Sequence, residues 1–181
     1  MKFVRILYRV RQFWRTVLLK IDPKELERVQ GRLTPAQWTL FRQLQPGEQE
    51  HAVRVLRKLL EQGDNQPDLL VAALLHDVGK LRYRLNPFER AMVVVMQAIL
   101  PKQARRWGYL PPAGWEGMPG WRKAFILAEH HAEWGAEMAH HAGVSPLVEN
   151  LIRQHQLPHS HGVEEAENDL LHKLRAIDND S

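Results

Sequence analysis

The chain has 181 residues, ten histidines, no cysteine and a formal net charge of +4. That length suits one domain with a core able to stand without staples, and the missing thiols exclude disulfides, thiolate–zinc sites and cysteine nucleophiles. The same absence fits a reducing compartment such as the cytoplasm and directs any metal chemistry to nitrogen and oxygen ligands.

Helical periodicity runs through the chain and no alternating strand pattern interrupts it, so the expected class is all-α: a compact multi-helix bundle with an additional amphipathic N-terminal helix. In 3–18 the apolar residues fall at 3, 6, 7, 10, 13, 14, 17 and 18, while Lys2, Arg5, Arg9, Arg11, Arg15 and Lys20 make the other face basic. Such a helix either packs on the domain or lies on an anionic membrane through residues 1–20. Its arginines argue against a secretory signal.

Proline behind a capping residue marks the next helix starts. Asp22-Pro23 opens a short helix ended by Gly31, and Thr34-Pro35 opens one ended near Pro46-Gly47. A helix over 48–62 carries His51, and Pro67 starts another that leads to His76-Asp77, with Gly79 closing it. Asn86-Pro87 opens a helix over 87–100; its stretch from Ala91 to Leu100 is too short to span a bilayer and contains Gln97. Gly108 to Gly120 reads as an ordered loop in which Tyr109 and Trp115 seek burial. Helices over 121–142, 146–157 and 164–178 complete the chain.

Charge is unevenly spread. Residues 1–50 hold ten Lys/Arg against five Asp/Glu and 81–123 hold eight against two, whereas 124–181 hold three against ten. The asymmetry suits an anionic substrate, an acidic partner or a membrane surface, or else basic and acidic faces that neutralise each other within the fold.

The most telling local feature is Leu69-Leu-Val-Ala-Ala-Leu-Leu-His-Asp-Val-Gly-Lys80, in which seven apolar residues deliver an imidazole and a carboxylate to the end of a buried helix. A carboxylate there is costly unless paired, hydrogen-bonded or metal-bound. His51, His131, His155 and Asp178 lie within or at the ends of other predicted helices, so the economical reading is a metal site assembled from several helices. A lone histidine such as His51 would ordinarily be satisfied by a backbone carbonyl; the doublet is what favours ligation.

The pattern resembles the HD-domain superfamily of metal-dependent phosphohydrolases. His51 stands 25 residues before His76, as the family's upstream histidine does, and Asp178 closes an apolar turn, Leu174-Arg-Ala-Ile-Asp178. The segment Glu129-His-His-Ala-Glu-Trp-Gly-Ala-Glu137 is similar to the His-x-x-x-Gly-Ala-Glu run of two-metal members, which selects His131. Positions 124, 128, 131, 135, 138 and 142 also share one helical face, where Gly135 costs about 1 kcal/mol relative to alanine, a cost that close approach of a neighbouring helix or a ligand would justify. Leu151-Ile-Arg-Gln-His155 matches the family's next histidine. It is followed by Gln156, where cyclic-dinucleotide phosphodiesterases carry a second histidine; diadenosine-tetraphosphate hydrolases carry one.

The resemblance implies an HD-type core over 48–180 within a single domain 1–181, a helical extension 1–47 and an insertion-like segment 81–120. It further implies one or two divalent transition-metal ions (Mn, Fe, Co, Ni or Zn). The first would be held by His51, His76, Asp77 and Asp178, and the second by His131 and His155 with Asp77 bridging. The expected activity is hydrolysis of a phosphate ester or anhydride of a nucleotide by metal-activated water. Asp77 and Lys80 would be catalytic, and Lys80, Arg82 and Arg84 would meet substrate phosphates, with Lys102, Arg105 and Arg106 further along the same basic run. Each of these cations also suits a solvated surface. Trp107, Trp115 and Trp121 suit packing or base stacking, and His159 and His161 fall in a loop near the second metal. The rival readings are a dinuclear-iron oxygenase of the same superfamily and a non-catalytic nucleotide-binding adaptor.

Overall fold

Proline opens seven of the nine α-helices among the described residues, which are 21–156 and 165–180 of the computed structural model. They are α1 (Pro23–Gln30), α2 (Pro35–Gln43), α3 (Pro46–Glu61), α4 (Pro67–Leu75), α5 (Pro87–Ile99), α6 (Pro101–Trp107), α7 (Gly120–His141), α8 (Pro146–Gln154) and α9 (Glu165–Asp180), with a 3-10 helix at Val78–Arg82. Each proline stands where its missing N–H costs nothing, and side chains satisfy neighbouring donors. Asp22 accepts from the Lys24 N–H, Ser145 from Val148, and Thr34–Gln37 and Asn86–Glu89 form capping boxes.

The described residues contain no strand, so the chain is all-α as its periodicity predicts. Helix α4 is apolar on every side, and Leu69, Leu70, Ala72, Ala73, Leu74 and Leu75 are all buried. A helix of that kind belongs at the centre of a bundle. Here α2, α3, α8 and α9 pack around it through Phe41, Leu56, Leu59, Leu151, Ile152 and Leu174, while α7 packs on the following 3-10 turn and on α8. A smaller cluster of Val93, Ala104, Ala124 and Phe125 fastens α5 and α6 to the first half of α7. Helices α5 and α6 therefore form a second helical layer against α7.

Three local expectations are corrected. Helix α4 ends at Leu75 instead of running to Gly79, and the chain tightens into the 3-10 turn. Residues 101–107, assigned to no helix by periodicity, form α6. Within 108–120, which is otherwise irregular, Trp115 packs on Trp134 at 4.9 Å between ring centroids, but Tyr109 is 61% exposed. No helix among the described residues is long and apolar enough to cross a membrane. The expected N-terminal helix over 3–18, its contact with anionic membranes through 1–20, and the loop histidines His159 and His161 lie outside the described residues.

Candidate metal centre

The early end of α4 is what aims the doublet. His76 still has helical dihedrals, whereas Asp77, at φ −98° and ψ 3°, leaves the helix through the sparsely populated bridge region. The following turn is pressed into α7 by two glycines. A Cβ on Gly79 would collide with the backbone carbonyl of His131, and a Cβ on Gly135 would stand 3.1 Å from the Gly79 nitrogen. Backbone contact of this kind puts Asp77 beside His131 although 54 residues separate them in sequence.

All six predicted ligands converge. His51, His76 and Asp178 form one group, and Asp77, His131 and His155 an adjoining one; within each group the ligand atoms lie within 4.8 Å of one another. His51 Nε2 is 2.8 Å from Asp178 Oδ1, and His76 Nε2 is 3.4 Å from the same oxygen. The two oxygens of Asp77 divide between the groups: Oδ2 is 3.6 Å from His76 Nε2, and Oδ1 is 3.4 Å from His131 Nε2. The His76 and His155 rings lie 5.1 Å apart, and those of His131 and His155 5.4 Å apart.

Each of the three buried imidazoles is oriented by its own helix. Nδ1 donates to a carbonyl one turn back: His76 to Ala73 at 2.9 Å, His131 to Leu127 at 3.1 Å and His155 to Ile152 at 2.7 Å. That bond fixes the ring and leaves Nε2 facing inward, the second-sphere arrangement usual for metal-ligating histidine. The Nε2 atoms of His76 and His131 are buried without a hydrogen-bond partner. An orphaned buried nitrogen is expensive, and a cation between these rings and the carboxylates would satisfy both. The donor set, imidazole nitrogen with carboxylate oxygen, suits a divalent transition metal.

Electrostatics point the same way. Burial works against ionisation of Asp77, but Lys80, His76 and His131 together hold its pKa well below the ordinary range. Asp178 is likewise lowered against its burial, by His76 and His51. Burial, reinforced by His76 and His131, pushes His155 down to about 3, so it stands neutral at pH 7. Burial alone would lower His76, yet Asp77 and Asp178 raise it to about 9. Without a cation, that imidazole keeps a proton as a local counter-charge.

Lys80 Nζ donates to Asp77 Oδ2 at 2.6 Å. Of the other expected substrate contacts, Arg82 is turned away: it approaches Glu137 at 3.7 Å and covers the Trp134 ring. Neither Arg82 nor the exposed Arg84 lines the clefts beside the cluster. A cleft of about 500 Å³ opens past His155 and Asp178, with Arg105, Arg175, Gln97 and Gln156 in its wall. A second, of about 270 Å³, opens past His131 and Lys80 against Val93, Val94 and Leu127. The two share Gln97, Ala128 and Gln156.

Sequence reasoning missed Arg175, which lies in the acidic C-terminal third and whose Nη2 donates to the Gln154 carbonyl at 2.7 Å. It also missed the pair of half-buried Arg90 and buried Glu48 (2.6 Å), which ties α5 to the start of α3. A charge pattern on one helix carries no signal for a partner 42 residues away. Trp107 packs on Phe125 and Trp121, and neither it nor Trp115 lines either of these two clefts. Among known proteins no family model, curated sequence or solved structure matches this chain.

Proposed function

We propose that this chain is a metal-dependent phosphohydrolase of the HD type, cleaving a phosphate ester or anhydride of a nucleotide. The observation that carries the reading is the pair of buried Nε2 atoms on His76 and His131, neither of them hydrogen-bonded and each facing a different oxygen of Asp77. His51, His76 and Asp178 would hold one ion, His131 and His155 another, and Asp77 would touch both. When bound, such ions supply Lewis acidity to phosphoryl oxygens and lower the pKa of water towards neutrality.

The chain's own residues supply the rest. Lys80 keeps Asp77 ionised and oriented, and it belongs to the wall of the smaller cleft, where a phosphoryl oxygen needs a counter-charge. Arg105 and Arg175 give the larger cleft the cations that suit the remaining anionic part of a nucleotide. Leu127, Val93 and Val94 give the smaller cleft an apolar wall suited to a base. No serine or threonine lines either cleft, and the chain has no cysteine. The proposed attack is accordingly by water, with no covalent enzyme intermediate.

The test is phosphate release from mono-, di-, cyclic and dinucleoside polyphosphates by the full chain supplied with Mn, Co, Ni, Fe or Zn. Metal-dependent release from at least one, abolished by Asp77→Ala, supports hydrolysis. Oxygen consumption by iron-loaded protein without phosphate release would favour an oxygenase, and nucleotide binding without turnover an adaptor.

A further inference from the structure

The five exposed large hydrophobic residues among the described residues all fall in one part of the chain: Phe88, Ile99, Leu100, Tyr109 and Trp121. Phe88 is 76% exposed, more than any other of the five. Helix α5 explains why they cannot all be hidden. From Ala91 to Ile99 only Gln97 is polar, so the helix is apolar nearly all round, a composition proper to a helix covered on every side. Its inner face is used: Met92, Val93 and Met96 pack on the small cluster, and Val94 and Gln97 wall the clefts. Phe88 and Ile99, near the two ends of the helix, stay exposed. Leu100 forms the corner into α6, while Tyr109 and Trp121 mark the far end of the same layer, where Trp121 rests on Trp107.

We infer that this outer face of α5 and α6 is a docking surface for an anionic lipid bilayer. Charge decides between the occupants. Residues 81–123 hold eight Lys/Arg and two Asp/Glu. One of the two acids, Glu89, is buried and accepts from the Tyr83 hydroxyl and the Asn86 N–H. Arg82 and Arg90 have carboxylate partners; of the other six, Arg122 and Lys123 are half-buried, and Arg84, Lys102, Arg105 and Arg106 are exposed with no carboxylate partner among the described residues. A second copy docked face to face would bring like charges together. So would the chain's own residues 1–20, which carry six Lys/Arg and no acid. An anionic membrane has the complementary sign, and Phe, Tyr and Trp beside Lys and Arg is the composition that enters a headgroup boundary.

The test is cosedimentation of the full chain with phosphatidylcholine vesicles, with and without roughly a third phosphatidylserine. Binding is expected only with phosphatidylserine, and about 0.5 M salt should release it. The triple change Phe88→Ser, Ile99→Ser and Tyr109→Ser should weaken it about tenfold or more, with circular dichroism reporting whether the fold is kept. The exposed pair Lys102→Glu and Arg106→Glu, which touches neither core nor clefts, should weaken it comparably and decides the matter if the triple variant fails to fold. Equal binding to neutral vesicles, or unchanged binding by a folded triple variant and by the charge-reversed pair, would overturn the inference. So would a wild-type dimer in light scattering that the triple variant dissolves.

Discussion

The backbone nitrogen of Gly79 lies 3.1 Å from where a Cβ on Gly135 would stand, and this approach of turn to helix is what places Asp77 against His131. The two glycines are not equivalent. A methyl group on Gly79 meets the His131 backbone, which cannot step aside, whereas Gly135→Ala sets a tight contact against a gain in helix propensity of about 1 kcal/mol. Gly79→Ala should therefore cost about 3 kcal/mol or more by overpacking and lower metal affinity with it. Gly135→Ala should cost clearly less. Thermal denaturation and metal titration of both variants check the order.

Loss of ligands should sort by group. If Asp77 touches both ions, Asp77→Ala removes both. His131→Ala or His155→Ala should remove one and leave the ion of His51, His76 and Asp178, and His51→Ala should do the reverse. Metal content per chain after gel filtration, measured for each variant, reads this out directly. Equal loss across all variants would mean a single shared ion.

The metal-free protein should have a stability maximum near pH 6.5. His76 is raised from 6.5 to about 9, so its contribution is complete below the unfolded value and lost as the pH rises through about 9. His155 is lowered to about 3, so between 3 and 6.5 the unfolded chain binds the extra proton and stability is lost as the pH falls. Metal uptake must displace the His76 proton, and loading should flatten the alkaline limb. Melting temperatures from pH 4 to 9.5 with and without manganese test this; a metal-free curve that is level between 6.5 and 9 would contradict it.

Arg105 lies in the wall of the larger cleft and is exposed, so its loss should cost binding and not folding. Arg105→Ala should raise KM several-fold for a polyphosphate substrate and leave kcat nearly unchanged, the signature of uniform binding. The same ratio measured with a nucleoside monophosphate should move less.

Part of this centre is legible in the sequence from periodicity and apolar runs, while His51 and His155 are singled out as ligands only by the resemblance. His131 follows from the 124–142 face, and His76 from seven apolar residues before it. What is not legible depends on contacts between distant segments. Gly79 reads as a helix stop, yet its role is close approach to α7, since local spacing cannot tell one use of glycine from the other. Asp178, close to the end of the sequence, reads as prone to fraying. In the fold it meets His51, and Lys58 Nζ holds the adjoining turn through the Asp180 carbonyl at 2.7 Å. The seven residues of α6 are too few to show a period of their own.

The most direct measurement is anomalous diffraction from crystals of the full chain soaked with manganese. The account predicts peaks bounded by the Nε2 atoms and carboxylates of His51, His76 and Asp178 and of Asp77, His131 and His155. Crystals that take up manganese elsewhere, or show no anomalous density among these six side chains, would contradict it.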